Sequence, residues 1–320
     1  MNESKTWQID SQLNGFESYT IHLPDDYEGK VVCTLIRKKQ QSFGRPAALH
    51  IHGFNDYFFH KHIADAFEGA GIDLYGLDLR KSGRSILPHQ KMNNLRNIEE
   101  YFADIEQAIR IIRNEGSKKL VIMGHSMGGL LVALFAARYS KTELFEGIFL
   151  NSPFLEQNKD IVTRKILIPV VARIGGKWPN LLVPGGFSKH YGPSLHNKFK
   201  GEWDYNLQWK PHVAPMLNAG WIRAIYLAQK HLTKGIEITE PLLLMYPEKS
   251  YNGLFWNDAF QISDAVVNVK HIQQRSHCIR ANKEEYVIQN AKHDLFLSKS
   301  SARQEVLELL LDWFHRKITG

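Results

Sequence analysis

Gly124-His125-Ser126-Met127-Gly128-Gly129 is the stretch on which the fold turns. The apolar run Lys119 to Met123 leads into it, and Leu130 to Ala137 leads out. A short apolar run before, and a long apolar one after, predict a buried strand feeding a helix through one serine. The spacing G-x-S-x-G fits that turn, because a strand that reverses so sharply into a helix forces the serine into a strained backbone conformation. Side chains at the flanking glycines would collide with the neighbouring strand and helix. The strain lifts the hydroxyl above the sheet edge, within reach of both a base and a substrate.

Outward from the elbow the chain alternates. Upstream, Phe16–Leu23 and Lys30–Arg37 alternate apolar and polar residues, with Pro24 to Gly29 between them, and predict an antiparallel pair. Then come a strand at Pro46–His52, a helix from Tyr57 to Gly69, a strand at Ile72–Asp78 and a helix from Asn97 to Asn114. After the elbow, Glu146–Asn151 is the next strand. Short apolar strands alternating with amphipathic helices predict an α/β fold, a mostly parallel central sheet covered by helices on both faces. The rhythm stops after Pro153. Up to about Gly235 the sequence concentrates Trp178, Trp203, Trp209, Trp221, Pro179, Pro184 and Pro211, and reads as an inserted cap over the C-terminal edge of the sheet. Strands return at Pro241–Tyr246 and Glu285–Gln289, and a helix over Ser301–Arg316 closes the chain. The expected organisation is therefore core over 1–153, cap over 154–235, and core again over 236–320.

Length and composition agree with one large domain: 320 residues, 43% hydrophobic. The N-terminus shows no basic segment followed by an apolar one, so no signal peptide is expected. No apolar run approaches a membrane span. Cys33 and Cys278 are too few for a disulfide framework, and a cytoplasmic setting is the expectation. Net charge is +7. A basic surface suits transient contact with anionic lipid headgroups, but Lys and Arg are dispersed along the chain and no nucleic-acid recognition signature appears.

Serine at neutral pH needs a base, an orienter for that base and donors for an oxyanion. With this elbow the partners follow in the order acid, then histidine. His293, in the loop after the last strand and before the last helix, is placed to swing an imidazole over Ser126. His190, His196, His212 and His231 fall in the cap and are candidates for its pocket; His271 and His277 lack the loop context. Behind Leu242–Tyr246 the acids are Glu248, Asp258 and Asp264. Glu248 sits between Pro247 and Lys249, as in an exposed turn, and Asp258 reads as a capping residue. Asp264 opens an apolar segment, Ser263–Val269, that docks a carboxylate firmly. Asp264 is the better candidate and Glu248 the alternative. Asp294 adjoins His293 and is not expected to turn back to its Nδ1, and Asn151 carries no charge. The oxyanion donors expected are the backbone N–H groups of Met127, at the start of the helix, and Phe54, after Gly53.

A rival reading is a metal centre. His50, His52 and Asp56, then His60 and His62, resemble a metallo-hydrolase pattern, and histidines two apart on a strand face one side. Asp56 lies four residues past His52 rather than two, and no carboxylate set follows.

His52-Gly53-Phe54, the segment Gly76 to Ser85 with Asp78, Arg80, Gly83 and Ser85, the elbow, and His293 to Ser298 together resemble the α/β-hydrolase superfamily. More narrowly they resemble serine hydrolases grouped with monoacylglycerol lipases, lysophospholipases and serine aminopeptidases. The resemblance covers residues 46–155 and 236–316 and implies an α/β-hydrolase fold with Ser126, Asp264 and His293 as nucleophile, acid and base. It implies acyl transfer through an acyl-enzyme, with no cofactor and no metal. Two departures stand out: Lys81-Ser82 where that family has Gly-His, and an apparent insertion from Pro247 to Ile262. An aromatic cap points to short- to medium-chain carboxylic esters, including monoacylglycerol or lysophospholipid. A serine aminopeptidase is the second reading, with Glu202, Asp204 and Glu240 as candidate amine-binding acids. A non-catalytic ligand-binding protein on the same fold is the third.

Overall fold

The computed structural model describes residues 6–39 and 44–320. Among the described residues, strands β1 (Gln8–Ile9), β2 (Phe16–Asp26), β3 (Gly29–Lys38), β4 (Ala47–Ile51) and β5 (Asp73–Asp78) precede the elbow. Strands β6 (Leu120–His125) and β7 (Gly147–Asn151) flank it. Helix α1 (Lys61–Gly69) joins β4 to β5, α2 (Glu100–Asn114) precedes β6, and α3 (Met127–Tyr139) leaves the elbow. The chain then departs from the sheet. That excursion holds α4 (Ile168–Gly175), β8 (Leu182–Val183), α5 (Tyr191–Leu195), β9 (Leu217–Asn218) and α6 (Ala219–Leu232). After β10 (Ile236–Glu237) it re-enters at β11 (Leu242–Pro247), and continues through α7 (Val269–Ser276), β12 (Ile279–Arg280), β13 (Lys283–Ile288) and α8 (Ser300–Phe314).

Nine of these strands form one sheet in the order β1-β2-β3-β5-β4-β6-β7-β11-β13. The first three and the β3–β5 pair are antiparallel; every pairing from β5 to β13 is parallel. Period-two alternation accounts for burial on both faces. Leu49, Ile122 and Leu244 point to the side packed by α2, α3 and α6, while Ala48, Val121 and Leu243 point to the side packed by α1 and α8. Helix α3 is buried continuously from Met127 to Ala136, as its unbroken apolar composition requires. Each Leu, Val, Phe or Met side chain removed from water there contributes about 1.5–3 kcal/mol.

One expectation is corrected. Tyr57 to His60 is not helical, and α1 begins only at Lys61. Asp56 and Asp78 carboxylates take the Tyr57 and Phe58 N–H groups at 2.9 and 2.7 Å, and the Phe58 ring fills the space a Cβ would occupy at Gly76. These contacts hold the segment extended across the strand ends. The stretch after Asp264 turns into α7, with Asn268 as its N-cap, its Oδ1 accepting from Lys270 N at 3.0 Å.

Candidate active site

Ser126 adopts φ 54° and ψ −116°, a conformation that costs a non-glycine residue about 1–3 kcal/mol. Its neighbours leave no room for side chains. A Cβ at Gly124 would overlap the Gly128 carbonyl, and one at Gly128 would overlap the carbonyls of Ile51 and His52. The Ser126 carbonyl accepts from Gly129, Leu130 and Phe154 N–H at 2.9, 3.2 and 2.9 Å, which fixes the turn from both sides.

His293 and Asp264 meet at this serine. Asp264 stands on the loop after β11, its backbone pinned to Lys249 O (2.9 Å) and to Tyr251 N (2.7 Å). Its Oδ1 accepts the N–H groups of Val266 and Val267, both at 2.8 Å. The free Oδ2 accepts from His293 Nδ1 at 2.8 Å, which leaves Nε2 to accept the Ser126 hydroxyl at 2.9 Å. All three side chains are buried. His125 packs against His293 with ring centroids 4.8 Å apart. Burial pulls the His125 pKa down to about 4, so it stays neutral at pH 7 and adds no positive charge beside His293.

The other acids go elsewhere. Glu248 pairs with Lys249 at 2.8 Å on the surface, and that hydrogen bond lowers its pKa. Asp294 is buried and accepts from His60 Nε2 at 3.1 Å, Asn151 Nδ2 at 2.9 Å and Phe296 N at 3.0 Å. The brace of Asp294, His60 and Asn151 was not read from the sequence. Its only signals there were the adjacency of Asp294 to His293 and the unexplained His60.

The loop of Gly53 and Phe54 is set by His52. Its Nε2 accepts from Leu79 N at 3.1 Å, so Nδ1–H donates to the Gly53 carbonyl at 2.7 Å. In a trans peptide N–H and C=O point oppositely, so this directs the Phe54 N–H away from His52. A Cβ at Gly53 would lie 3.0 Å from Ser126 Cβ, which shows how close this loop passes to the serine. Met127 is the first residue of α3, where an N–H has no intrahelical acceptor.

Gly53, Phe54, Ser126, Met127 and His293 line a cavity of about 570 Å3. Its far walls are apolar and come mostly from the excursion: Leu167, Val171, Val183, Phe187 and Trp221, with Val266 beside them. The acid in its wall is Asp56, which Lys210 Nζ neutralises at 2.6 Å. His190, His196, His212 and His231 do not contribute to the wall.

The suspected metal ligands separate. His52 holds the Gly53–Phe54 loop, and His50 is packed among Phe58, His60 and Phe296. His62 stacks on Trp203 at 4.2 Å and donates to Phe296 O at 2.9 Å. Among the described residues, Asp56, His125 and Asp294 do bring ligand atoms within 4.8 Å of one another, but two of the three are already taken by Lys210 and His60. The Gly76–Ser85 segment is a structural knot. Asp78 receives Arg84, Arg80 pairs with Asp104, and Lys81 (φ 61°) inserts its ammonium between Asp26 and Glu28 at 2.6 and 2.8 Å.

Over 205 residues the chain is 27% identical to a monoacylglycerol lipase of Mycolicibacterium smegmatis, covering 62% of this chain and 68% of that protein. A soluble variant of monoglyceride lipase from Saccharomyces cerevisiae, solved with a substrate analogue, superposes with a TM-score of 0.69 over 99% of both chains at 16% identity. A monoacylglycerol lipase from Paleococcus ferrophilus gives 0.63 over 90% of this chain and 99% of that one at 17% identity. These two share the fold, the α/β-hydrolase fold. No described helix is long and apolar enough to cross a membrane. Residues 45–250 match the family Hydrolase_4, described as serine aminopeptidase, S33, and the chain belongs to that family of monoacylglycerol lipase-like α/β-hydrolases.

Proposed function

We propose that this α/β-hydrolase cleaves carboxylic esters with Ser126 as nucleophile, His293 as base and Asp264 as the acid that orients it. The observation that carries the reading is the hydrogen-bonded chain from Asp264 through His293 to Ser126, at the floor of an apolar cavity. His293 takes the hydroxyl proton as Ser126 Oγ adds to the ester carbonyl. The Phe54 and Met127 N–H groups hold the oxyanion, each worth about 3 kcal/mol in the transition state. The imidazolium returns the proton to the leaving alcohol, and an acyl-enzyme remains. Water then adds with His293 as base, and the carboxylic acid departs. The chemistry calls on no cofactor or metal.

Residues 154–235 act as the cap that selects substrate. Their apolar wall suits a short- to medium-chain acyl group, as in a monoacylglycerol or a lysophospholipid. The family description favours a second reading, an aminopeptidase. A free α-ammonium needs an unpaired acid in the pocket, and Asp56 is neutralised by Lys210, whereas Glu202, Asp204 and Glu240 do not line the cavity. Ester cleavage is therefore preferred. The test sets p-nitrophenyl esters of rising chain length against aminoacyl p-nitroanilides. Esters are turned over and anilides are not; Ser126→Ala loses about 10⁶ in kcat and all labelling by a fluorophosphonate. Turnover retained by Ser126→Ala defeats the proposal, as does a parent protein that never reacts with the phosphonate, the outcome expected of a ligand-binding protein on this fold.

A further inference from the structure

The stretch from Pro247 to Ile262 carries no part of the proposed chemistry, yet it has a definite build. Its neck is closed by a hydrogen bond from Asn257 to the Tyr251 hydroxyl. Trp256 stacks on Phe260 with centroids 5.6 Å apart, and Lys200 Nζ lies 5.1 Å over the Trp256 ring. His190 Nε2 donates to the Leu254 carbonyl at 3.0 Å, and Gln261 donates to Lys200 O at 2.7 Å. On this braced loop Leu254 and Phe255 are 81% and 83% exposed, adjacent at the tip. Two large apolar side chains held out in water have no use in the loop's own packing.

Their surroundings point to one occupant. Asn252, two residues before the tip, lines the cavity, and so do Leu167 and Val183. The segments around those residues expose Ile166, Leu167, Val170, Leu181 and Leu182. Exposed apolar side chains thus cluster in the segments that line the cavity. Charge follows the same distribution. Basic residues occur all along the chain, but residues 159–200 hold eight Lys or Arg against the single acid Asp160, and of the eight Arg164 is paired with Glu156 at 3.3 Å. Lys189, Lys198 and Lys200 belong to the stretch on which the loop is braced. Apolar side chains projecting beside concentrated positive charge match an anionic phospholipid surface, where each basic residue near the headgroups contributes about 1 kcal/mol and the apolar tip enters the acyl boundary.

We infer that the Leu254–Phe255 tip is an anchor that inserts into an anionic phospholipid surface, with the basic 159–200 segment drawing the cavity mouth against it. The anchor does not depend on the esterase reading. The experiment is co-sedimentation of the full chain with vesicles of phosphatidylcholine containing about one third phosphatidylserine, set against pure phosphatidylcholine. The full chain binds the anionic vesicles at least about tenfold more tightly, and loses that advantage as salt rises toward about 0.5 M. Leu254→Ser with Phe255→Ser lowers partitioning about tenfold or more, while far-UV circular dichroism and hydrolysis of p-nitrophenyl acetate stay as in the parent. Phe255→Trp emission is quenched by brominated acyl chains. Ser126→Ala binds vesicles as the parent does, which separates this result from the fate of the catalytic proposal. The inference is overturned if the parent fails to bind anionic vesicles at low salt or the double variant binds equally well. It is also overturned if the Phe255→Trp emission is unquenched, or if the tip instead drives self-association of the chain in the absence of lipid.

Discussion

His293 and Asp294 are neighbours in sequence whose side chains enter two separate buried networks. His293 joins Ser126 to Asp264; Asp294 joins His60 to Asn151. The division gives the carboxylate nearest in sequence to the base a bracing role. It leaves orientation of the imidazole to an acid contributed 29 residues upstream.

That division predicts opposite outcomes for two conservative changes. Asp264→Asn keeps the size of the side chain but offers an amide where Nδ1–H needs a carboxylate, and it removes the charge that stabilises imidazolium. A drop in kcat of about 10⁴ follows, with an unchanged unfolding midpoint. Glu248→Gln alters a surface pair with Lys249 and leaves kcat within about twofold. Steady-state kinetics on a p-nitrophenyl ester separates them, and the reverse ranking would move the acid to Glu248.

Asn151→Ala tests the brace. The buried Asp294 carboxylate loses the Nδ2 donor at 2.9 Å, and Leu295 N loses an acceptor at 3.3 Å. Leaving such groups unsatisfied costs about 1–3 kcal/mol. Urea unfolding should show a lower midpoint with an unchanged m-value; a midpoint equal to the parent's would mean Asn151 holds nothing in place.

How far the sequence foretold these features depends on whether the information was local. The elbow was legible because sharp turns, strands and glycines leave marks within a few residues, and the parallel sheet was legible because β4, β6 and β11 are short runs free of charged residues and, His50 and His125 apart, apolar. His293 followed from loop order. The segment Tyr57–His60 was misread as helix because its backbone is claimed by Asp56 and Asp78, the latter 20 residues away from Phe58. The Asp294 brace was missed for the same reason. Its partners His60 and Asn151 are 234 and 143 residues distant, and no periodicity encodes such a contact. The interior of the excursion between β7 and β10 stayed opaque, since α4 and α6 pack on each other across about fifty residues of sequence.

Lys81 replaces a small residue at a left-handed position, and its side chain explains why that is tolerated. The ammonium is fully buried between Asp26 and Glu28 and lies 4.1 Å over the Tyr27 ring. Lys81→Gly relieves the backbone strain of about 1 kcal/mol but strands two carboxylates, at a cost of about 3 kcal/mol or more. The net change is a loss of about 2 kcal/mol, measured by urea unfolding at pH 7. A more stable glycine variant would show that the ion pair contributes less than the strain it requires.

Lys292 gives the pH dependence. Its ammonium is buried beside His293 and donates to the Ser194 carbonyl on α5 at 2.8 Å, tying the His293 loop to the excursion. Burial lowers its pKa to about 8, below the ordinary lysine value. Between those two values the unfolded chain binds the proton that the folded chain has released, so this residue's contribution to stability rises with pH across that window. Below pH 8 both states are protonated and the burial penalty is present in full, about 3 kcal/mol. Lys292→Met removes the titrating group. The stability of the parent minus that of Lys292→Met, from urea unfolding at successive pH values, should be flat below about pH 7.5 and climb toward pH 10. A flat difference throughout would mean that the buried amine keeps an ordinary lysine pKa.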